Sequence, residues 1–285
     1  MQLSISLVIS LAQVIGTASG NTSADSPRLP NRGICAHRGA SDTHPENTLP
    51  ALREAARLGA HMIEFDVALT RDDELVLMHD ATVDRTTNGK GAVANLTLPE
   101  LRKLDAGSWK DPAFREERIP TLDEALEILP ENVWLNVHVK GDAALAEKAA
   151  RRIVAHNRLH QAFLACGTAA AGAAKQVDPG IKICNMERQP SSRQYARETI
   201  DQQADIIQFL AGQSFDHDVI QVLQKHRVRI NYCCANDVRS LQTLFAAGVE
   251  FVLVDKVAEM LNAADELGVR RVRPEYRASI TVKTE

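Results

Sequence analysis

Three short polar clusters, each closing an apolar run, fall between positions 34 and 80: His37-Arg38-Gly39, Glu64-Phe65-Asp66 and His79-Asp80. Polar groups at the solvent end of buried strands are where parallel α/β proteins place their chemistry. Two histidines can divide acid and base work near neutral pH. Carboxylates two residues apart on a strand point to one side, so Glu64 and Asp66 can converge on a divalent cation. An arginine such as Arg38 clamps an anion. Such a set suits a phosphate ester, with a bell-shaped pH profile from the two imidazoles.

Elements that could carry these clusters recur with a regular rhythm. Apolar, β-rich runs are expected as strands at 33–37, 62–69, 75–79, 133–139, 162–166, 182–185, 206–210, 229–234 and 251–254. Amphipathic stretches between them predict helices at 47–58, 122–129, 143–156, 216–226, 237–247 and 256–267. Repeated strand-helix units imply a parallel sheet with right-handed crossovers. Eight such units close a (β/α)8 TIM barrel, with 75–79 an extra element behind the second strand. A doubly wound open sheet is the alternative. Residues 81–120 break the rhythm and read as a short polar insertion above the barrel mouth. Within it Gly89 and Gly91 are expected to form a turn rather than a phosphate cradle.

Composition agrees with one large core. The chain has 285 residues, 45% hydrophobic and 25% charged, and a barrel domain typically uses about 250 residues. A formal charge of -4 argues against a nucleic-acid partner. Residues 1–20 are uncharged and apolar or small, and end in Ala18-Ser19-Gly20. They resemble a secretory signal peptide without its basic start, so a secreted or periplasmic location is expected, with no stable membrane insertion. Residues 21–30 read as a linker, 31–270 as the barrel domain and 271–285 as a polar tail. Cys35, Cys166, Cys184, Cys233 and Cys234 all lie in apolar, strand-like runs and are expected as reduced core residues. A Cys233-Cys234 bond is sterically demanding. Oligomeric state is not legible at this level.

The run His37-Arg38-Gly39-Ala40, Pro45-Glu46-Asn47-Thr48, Glu64-x-Asp66, His79-Asp80 and Arg85-Thr86-Thr87 resembles the N-terminal signature of the glycerophosphodiester phosphodiesterase family. Weaker likeness runs through Ile119-Pro120-Thr121-Leu122 and 135–140, and returns near Asn236-Asp237 and 248–255. The resemblance implies a TIM barrel that hydrolyses glycerophosphodiesters to glycerol phosphate and an alcohol with a divalent metal, Ca²⁺ or Mg²⁺. Carried over, His37 and His79 would be the acid and base, Arg38 and Lys140 would contact phosphate, Glu64 and Asp66 would be metal ligands, and Glu46 and Asn47 a supporting pair. Glu64 and Asp66 would otherwise form a salt-bridged barrel layer, but two carboxylates on one buried face repel unless a cation or proton intervenes.

The sharpest departure from the pattern lies just before Lys140. Where the family has an acid that completes the metal site, this chain has His138, two residues before Lys140. A Glu64/Asp66/His138 set carries one negative charge fewer. Imidazole favours Zn²⁺, Mn²⁺ or Fe²⁺ over Ca²⁺. The strand-seven segment Tyr232-Cys233-Cys234-Ala235-Asn236 lacks the family's Trp-Thr pair, and Val254 replaces a Thr. A catalytically impaired, phospho-ligand-binding descendant is therefore the alternative, and headgroup transfer like that of sphingomyelinase D toxins a third reading.

Overall fold

The computed structural model describes residues 27–213 and 216–277. The expected leader at 1–20 lies outside the described residues, as do most of the linker and the last eight residues of the tail. Strands β1 (Gly33–Ala36), β2 (Met62–Leu69), β3 (Leu75–Leu77), β4 (Trp134–Val139), β5 (Ala162–Cys166), β6 (Lys182–Asn185), β7 (Ile206–Leu210), β8 (Arg229–Cys233) and β9 (Phe251–Val254) alternate with helices. The helices are α1 (Leu49–Leu58), α2 (Leu98–Leu101), α3 (Leu122–Ile128), α4 (Ala143–Ala155), α5 (Thr168–Val177), α6 (Ser192–Asp201), α7 (His217–Lys225), α8 (Val238–Ala247) and α9 (Val257–Glu266).

Eight strands close a parallel barrel. The sheet runs from β2 through β4, β5, β6, β7, β8 and β9 to β1, and β1 pairs back onto β2. At the seam Cys35 aligns with Met62 on one side and Leu253 on the other. β3 lies antiparallel on β2, with Val67 opposite Leu77. The TIM-barrel expectation holds, and 75–79 is the extra element anticipated, three residues long.

Strand alternation sorts side chains between two cores. Ile63, Phe65 and Val67 pack outward with Leu52, Ala55 and Ala56 of α1, while Met62 joins Cys35, Trp134, Phe163, Cys184, Phe251 and Leu253 in the lumen. Glu64, Asp66, Asn136 and His138 share the inward parity, so the polar groups sit above an apolar plug. Leu29 packs against that plug, and the Trp134 indole Nε1 donates to the Pro30 carbonyl at 2.8 Å. The segment before β1 thus caps the floor, opposite the chemistry.

Helix ends follow local rules. Thr121 and Glu124 form a reciprocal capping box on α3, and the Asp142 side chain accepts from Ala144 N and Leu145 N at the start of α4. Helices α5 and α6 were not singled out from sequence. α5 buries only Ala170 and Ala174, and α6 buries Tyr195, Ala196 and Thr199, so neither presents the stripe of large apolar residues that marks an amphipathic helix.

Residues 81–120 fold as irregular chain around α2 and fill a satellite cluster, in which Val83, Val93, Leu101, Ala106 and Ile119 pack on Ala68, Val76 and Met78. The turn expected at Gly89 and Gly91 is present, with Gly89 N on Thr87 Oγ1 and Gly91 N on Asp84 Oδ1. The tail through Arg277 is docked: Val272 N bonds Gly59 O at 3.0 Å, and Glu131 N bonds Glu275 O at 2.7 Å.

Two of the five cysteines depart from expectation. Cys35, Cys166 and Cys184 are buried and free, but Cys233 and Cys234 are joined in a disulfide. The reason is placement: both leave the core at the C-terminal end of β8 and are partly exposed.

Gly39 turns the chain from β1 into the site. Its φ is +79°, and a Cβ there would lie 2.6 Å from the Ala51 carbonyl carbon. Gly39→Ala is expected to cost about 1–3 kcal/mol of stability through left-handed strain and displaced α1. Urea unfolding measures this directly, and an unchanged midpoint would show that the turn relaxes freely.

Candidate active site

Glu64 and Asp66 stand side by side on β2, with only 2% and 0% of their surfaces exposed. Isolated carboxylates do not survive such burial, so the surrounding chain must supply charge and donors. It does so from three directions. Arg38, in the left-handed region at φ +57°, donates its backbone N–H to Glu64 Oε2 at 2.9 Å. Asn47, also left-handed, donates Nδ2 to Asp66 Oδ2 at 2.9 Å and accepts from Asp66 N at 3.0 Å. From β4, in register with β2, come His138 and, just beyond the strand, Lys140.

The His138 Nδ1 lies 3.1 Å from Asp66 Oδ1 and 3.6 Å from Glu64 Oε1, and Lys140 Nζ lies 3.2 Å from Asp66 Oδ1. Burial would raise the Asp66 pKa, but the His138 hydrogen bond and the Lys140 charge outweigh it and hold the carboxyl well below the usual range. For His138, burial works against the charged form, yet the two carboxylates raise its pKa above the ordinary value. The expected ligand trio therefore does come together.

Those residues suit a divalent cation. One oxygen or nitrogen from each of Glu64, Asp66 and His138 lies within 4.8 Å of the others. Asp66 Oδ1 is buried yet makes no well-aligned hydrogen bond despite its cationic neighbours. Two anionic oxygens and one imidazole form a donor set of mixed hardness, which fits Mn²⁺ or Zn²⁺ better than Ca²⁺.

Both histidines are oriented by acids. His37, just past β1, shares its Nδ1 with Asp255 Oδ1 at 2.8 Å. Asn236 fixes Asp255 in turn, donating Nδ2 to Oδ2 and accepting from Asp255 N, each at 2.7 Å. Burial would lower the His37 pKa, but Asp255 and the Glu64 charge raise it. The hydrogen bond from His37 lowers that of Asp255. His79 shares Nδ1 with Asp80 Oδ1 at 2.6 Å. Asp80 is held well below the carboxylate range, first by Arg85, whose Nε donates to Oδ2 at 2.7 Å. With each Nδ1 proton held by a carboxylate, Nε2 is the nitrogen left for a substrate.

One ion-pair chain ties the site together. Arg85 spans Asp80 and both oxygens of Glu46, at 2.8 Å each, and Glu46 also accepts from Arg38 Nη1 at 2.8 Å. Arg38 Nε then lies 3.4 Å from Asp66. Burial would raise the Glu46 pKa, but these two guanidinium groups lower it. Glu46 thus lies between Arg38 and Arg85 and Asn47 against Asp66, while Arg38 and Lys140 lie against the acids at the barrel mouth.

Sequence reasoning gave no role to Asp255, Asn236, Asp80 or Arg85. Asp80 and Arg85 stood inside quoted motifs. Asp255 had a readable signal, being a carboxylate directly after the last strand, which must neighbour the first in a closed barrel. Of the histidines left without a role, buried His61 does structural work: it accepts from Ile34 N at 3.2 Å and reaches Arg270 O at 2.8 Å.

This chain and its barrel have known counterparts. Residues 37–177 match the model of the glycerophosphoryl diester phosphodiesterase family. A glycerophosphodiester phosphodiesterase of Caldanaerobacter subterraneus is 50% identical over 113 residues, 39% of this chain and 46% of that protein. Among solved structures, an Oleispira antarctica phosphodiesterase in complex with the product sn-glycerol-3-phosphate superposes with a TM-score of 0.73 at 29% identity, covering 83% of this chain and 97% of that one. A glycerophosphodiester phosphodiesterase from Agrobacterium tumefaciens gives 0.72 at 26% identity, covering 82% and 99%. The chain belongs to the glycerophosphodiester phosphodiesterase family. Its match to the first curated relatives spans less than half of their length.

Because a ligating imidazole must be neutral, the raised His138 pKa makes proton and metal compete. Metal affinity is expected to rise with pH through that pKa and then level off, with Asp66 already ionised throughout. Calorimetric titration with Mn²⁺ at about pH 6 and about pH 9, on either side of deprotonation of an imidazole whose pKa is raised, checks this. Equal affinity at both would place His138 outside the ligand set.

Proposed function

We propose that the chain is a metal-dependent phosphoric diester hydrolase that cleaves glycerophosphodiesters to glycerol phosphate and an alcohol. The observation that carries this reading is the pairing of two acid-backed imidazoles with the Glu64/Asp66/His138 donor set at one barrel mouth. Family membership and the product complex of the Oleispira relative support the same substrate class.

In this reading Glu64, Asp66 and His138 hold the divalent ion, which when bound offsets phosphate charge and polarises phosphorus. Lys140 and Arg38 add positive charge beside the phosphate. His79, held by Asp80, removes a proton through Nε2 from the attacking hydroxyl, either water or a neighbouring hydroxyl of the substrate. His37 delivers a proton from Nε2 to the leaving oxygen. The acid role falls to His37 because Asp255 and Glu64 favour its protonated form.

Turnover of a glycerophosphodiester panel, with chelator and then with Ca²⁺, Mg²⁺, Mn²⁺ or Zn²⁺, tests the proposal. Absence of turnover with every metal alongside retained ligand binding would defeat it. His37→Ala and His79→Ala should each lower kcat by roughly 10²–10⁴-fold while calorimetric metal binding persists. His138→Glu should shift metal preference toward Ca²⁺ or Mg²⁺. Arg85→Ala should lower kcat on the order of tenfold with a smaller effect on KM, since it frees Asp80 and Glu46 without touching the substrate. An unchanged kcat would show that the ion-pair chain does not position His79.

A further inference from the structure

The Cys233-Cys234 pair does not enter the mechanism, yet it stands beside one of its two histidines. Cys234 Sγ lies 3.9 Å from His37 Nδ1, on the same nitrogen that Asp255 engages. Adjacent residues in a strand point to opposite faces, but β8 ends at Cys233, and the chain there brings both sulfurs to one side, where they are bonded. One donor atom from each of His37, Cys233 and Cys234 lies within 4.8 Å of the others, and all three residues are partly exposed. Among the described residues this is the second group able to hold a metal, and its donors differ in kind from the oxygen-rich set on β2.

We propose that the reduced Cys233-Cys234 pair and His37 form a second, soft-metal site that takes Zn²⁺, Cd²⁺ or Co²⁺ and withdraws His37 from catalysis. Opening the site requires a dithiol reductant. Exchange with it breaks the Cys233-Cys234 bond, gives two protein thiols and leaves the reductant as its own cyclic disulfide. Binding then converts both thiols to thiolates and releases two protons to solvent. Two thiolates and one imidazole are the ligand chemistry of tetrahedral zinc sites with one open position, and they discriminate against Ca²⁺ and Mg²⁺. Nδ1 of His37 cannot both ligate a metal and donate to Asp255, so occupancy removes the hydrogen bond that orients Nε2. The disulfide form keeps the sulfurs from ligating and leaves His37 with Asp255.

The loss of turnover rests on the hydrolase reading, whereas the binding does not. The test therefore reads binding spectroscopically. Full-length protein is titrated with Cd²⁺ and with Co²⁺, before and after treatment with a dithiol that is then removed under anaerobic conditions. Thiolate-to-metal charge-transfer absorption is expected at one equivalent in reduced protein only. It should be absent in Cys233→Ser/Cys234→Ser, which retains the buried Cys35, Cys166 and Cys184, and in His37→Ala the Co²⁺ spectrum should shift as the imidazole is lost. Turnover by reduced wild-type protein should then fall on adding Zn²⁺, while the double serine variant turns over alike with and without the reductant step. Absorption that persists in the double serine variant, or none in reduced wild type, would overturn the site. Binding without added inhibition of turnover would overturn the claim on His37 while leaving the hydrolase reading intact.

Discussion

Burying Glu64 and Asp66 next to each other is the constraint from which the barrel mouth is built. Two like charges shielded from water repel and lose hydration, and each must be answered by donors or cations. The answers come from separate parts of the chain. Arg38 and Asn47 supply hydrogen bonds from the loop after β1, both in left-handed backbone that ordinary residues avoid. His138 and Lys140 supply positive charge from β4. The strained loop conformation is an energetic cost of order 1–3 kcal/mol per residue, retained here where the backbone must reach a buried carboxylate. The same packing leaves Asp66 Oδ1 buried beside His138 and Lys140 without a well-aligned hydrogen bond, so that oxygen keeps a lone pair for a cation when His138 is neutral.

From that pair the electrostatics spread outward without a break. Arg38 links Asp66 to Glu46, Arg85 links Glu46 to Asp80, and Asp80 holds His79. Single exposed ion pairs contribute little to stability. Here Glu46 is mostly buried and receives a forked pair of hydrogen bonds from Arg85 and a single one from Arg38, so the chain fixes the relative placement of loops that come from two different strands. Its function is positional: it connects a carboxylate in the barrel wall to an imidazole at the rim.

Much of this was legible from the residues. Short apolar, β-rich runs located eight of the nine strands to within a residue at either end, because strands buried on both faces read as dense apolar segments. Glu64 and Asp66 followed from strand alternation and His138 from the family resemblance, and registration of β2 with β4 brings the three together. Helices α5 and α6 were less legible because, Tyr195 apart, small or polar residues make up their buried faces. The disulfide was misjudged because a vicinal pair at a strand end resembles core cysteine when only hydropathy is read. Asp255 stood only at the end of a weak likeness, and its role emerges from closure of the barrel rather than from spacing.

Closure also divides the labour between the two halves of the chain. Every site residue named from the sequence falls within 37–140, inside the segment that matches the family model. The groups that orient or border His37 fall outside it, at Cys234, Asn236 and Asp255. They reach His37 only because β9 pairs with β1, aligning Ala36 with Val254 and so setting His37 beside Asp255. The first half therefore holds the charges that a phosphate and a metal would see, and the second half sets the proton position and surroundings of one imidazole. The last strands can thus change how His37 is held without disturbing the carboxylates on β2. That separation follows from barrel geometry, in which neighbours across the seam are the residues farthest apart in sequence.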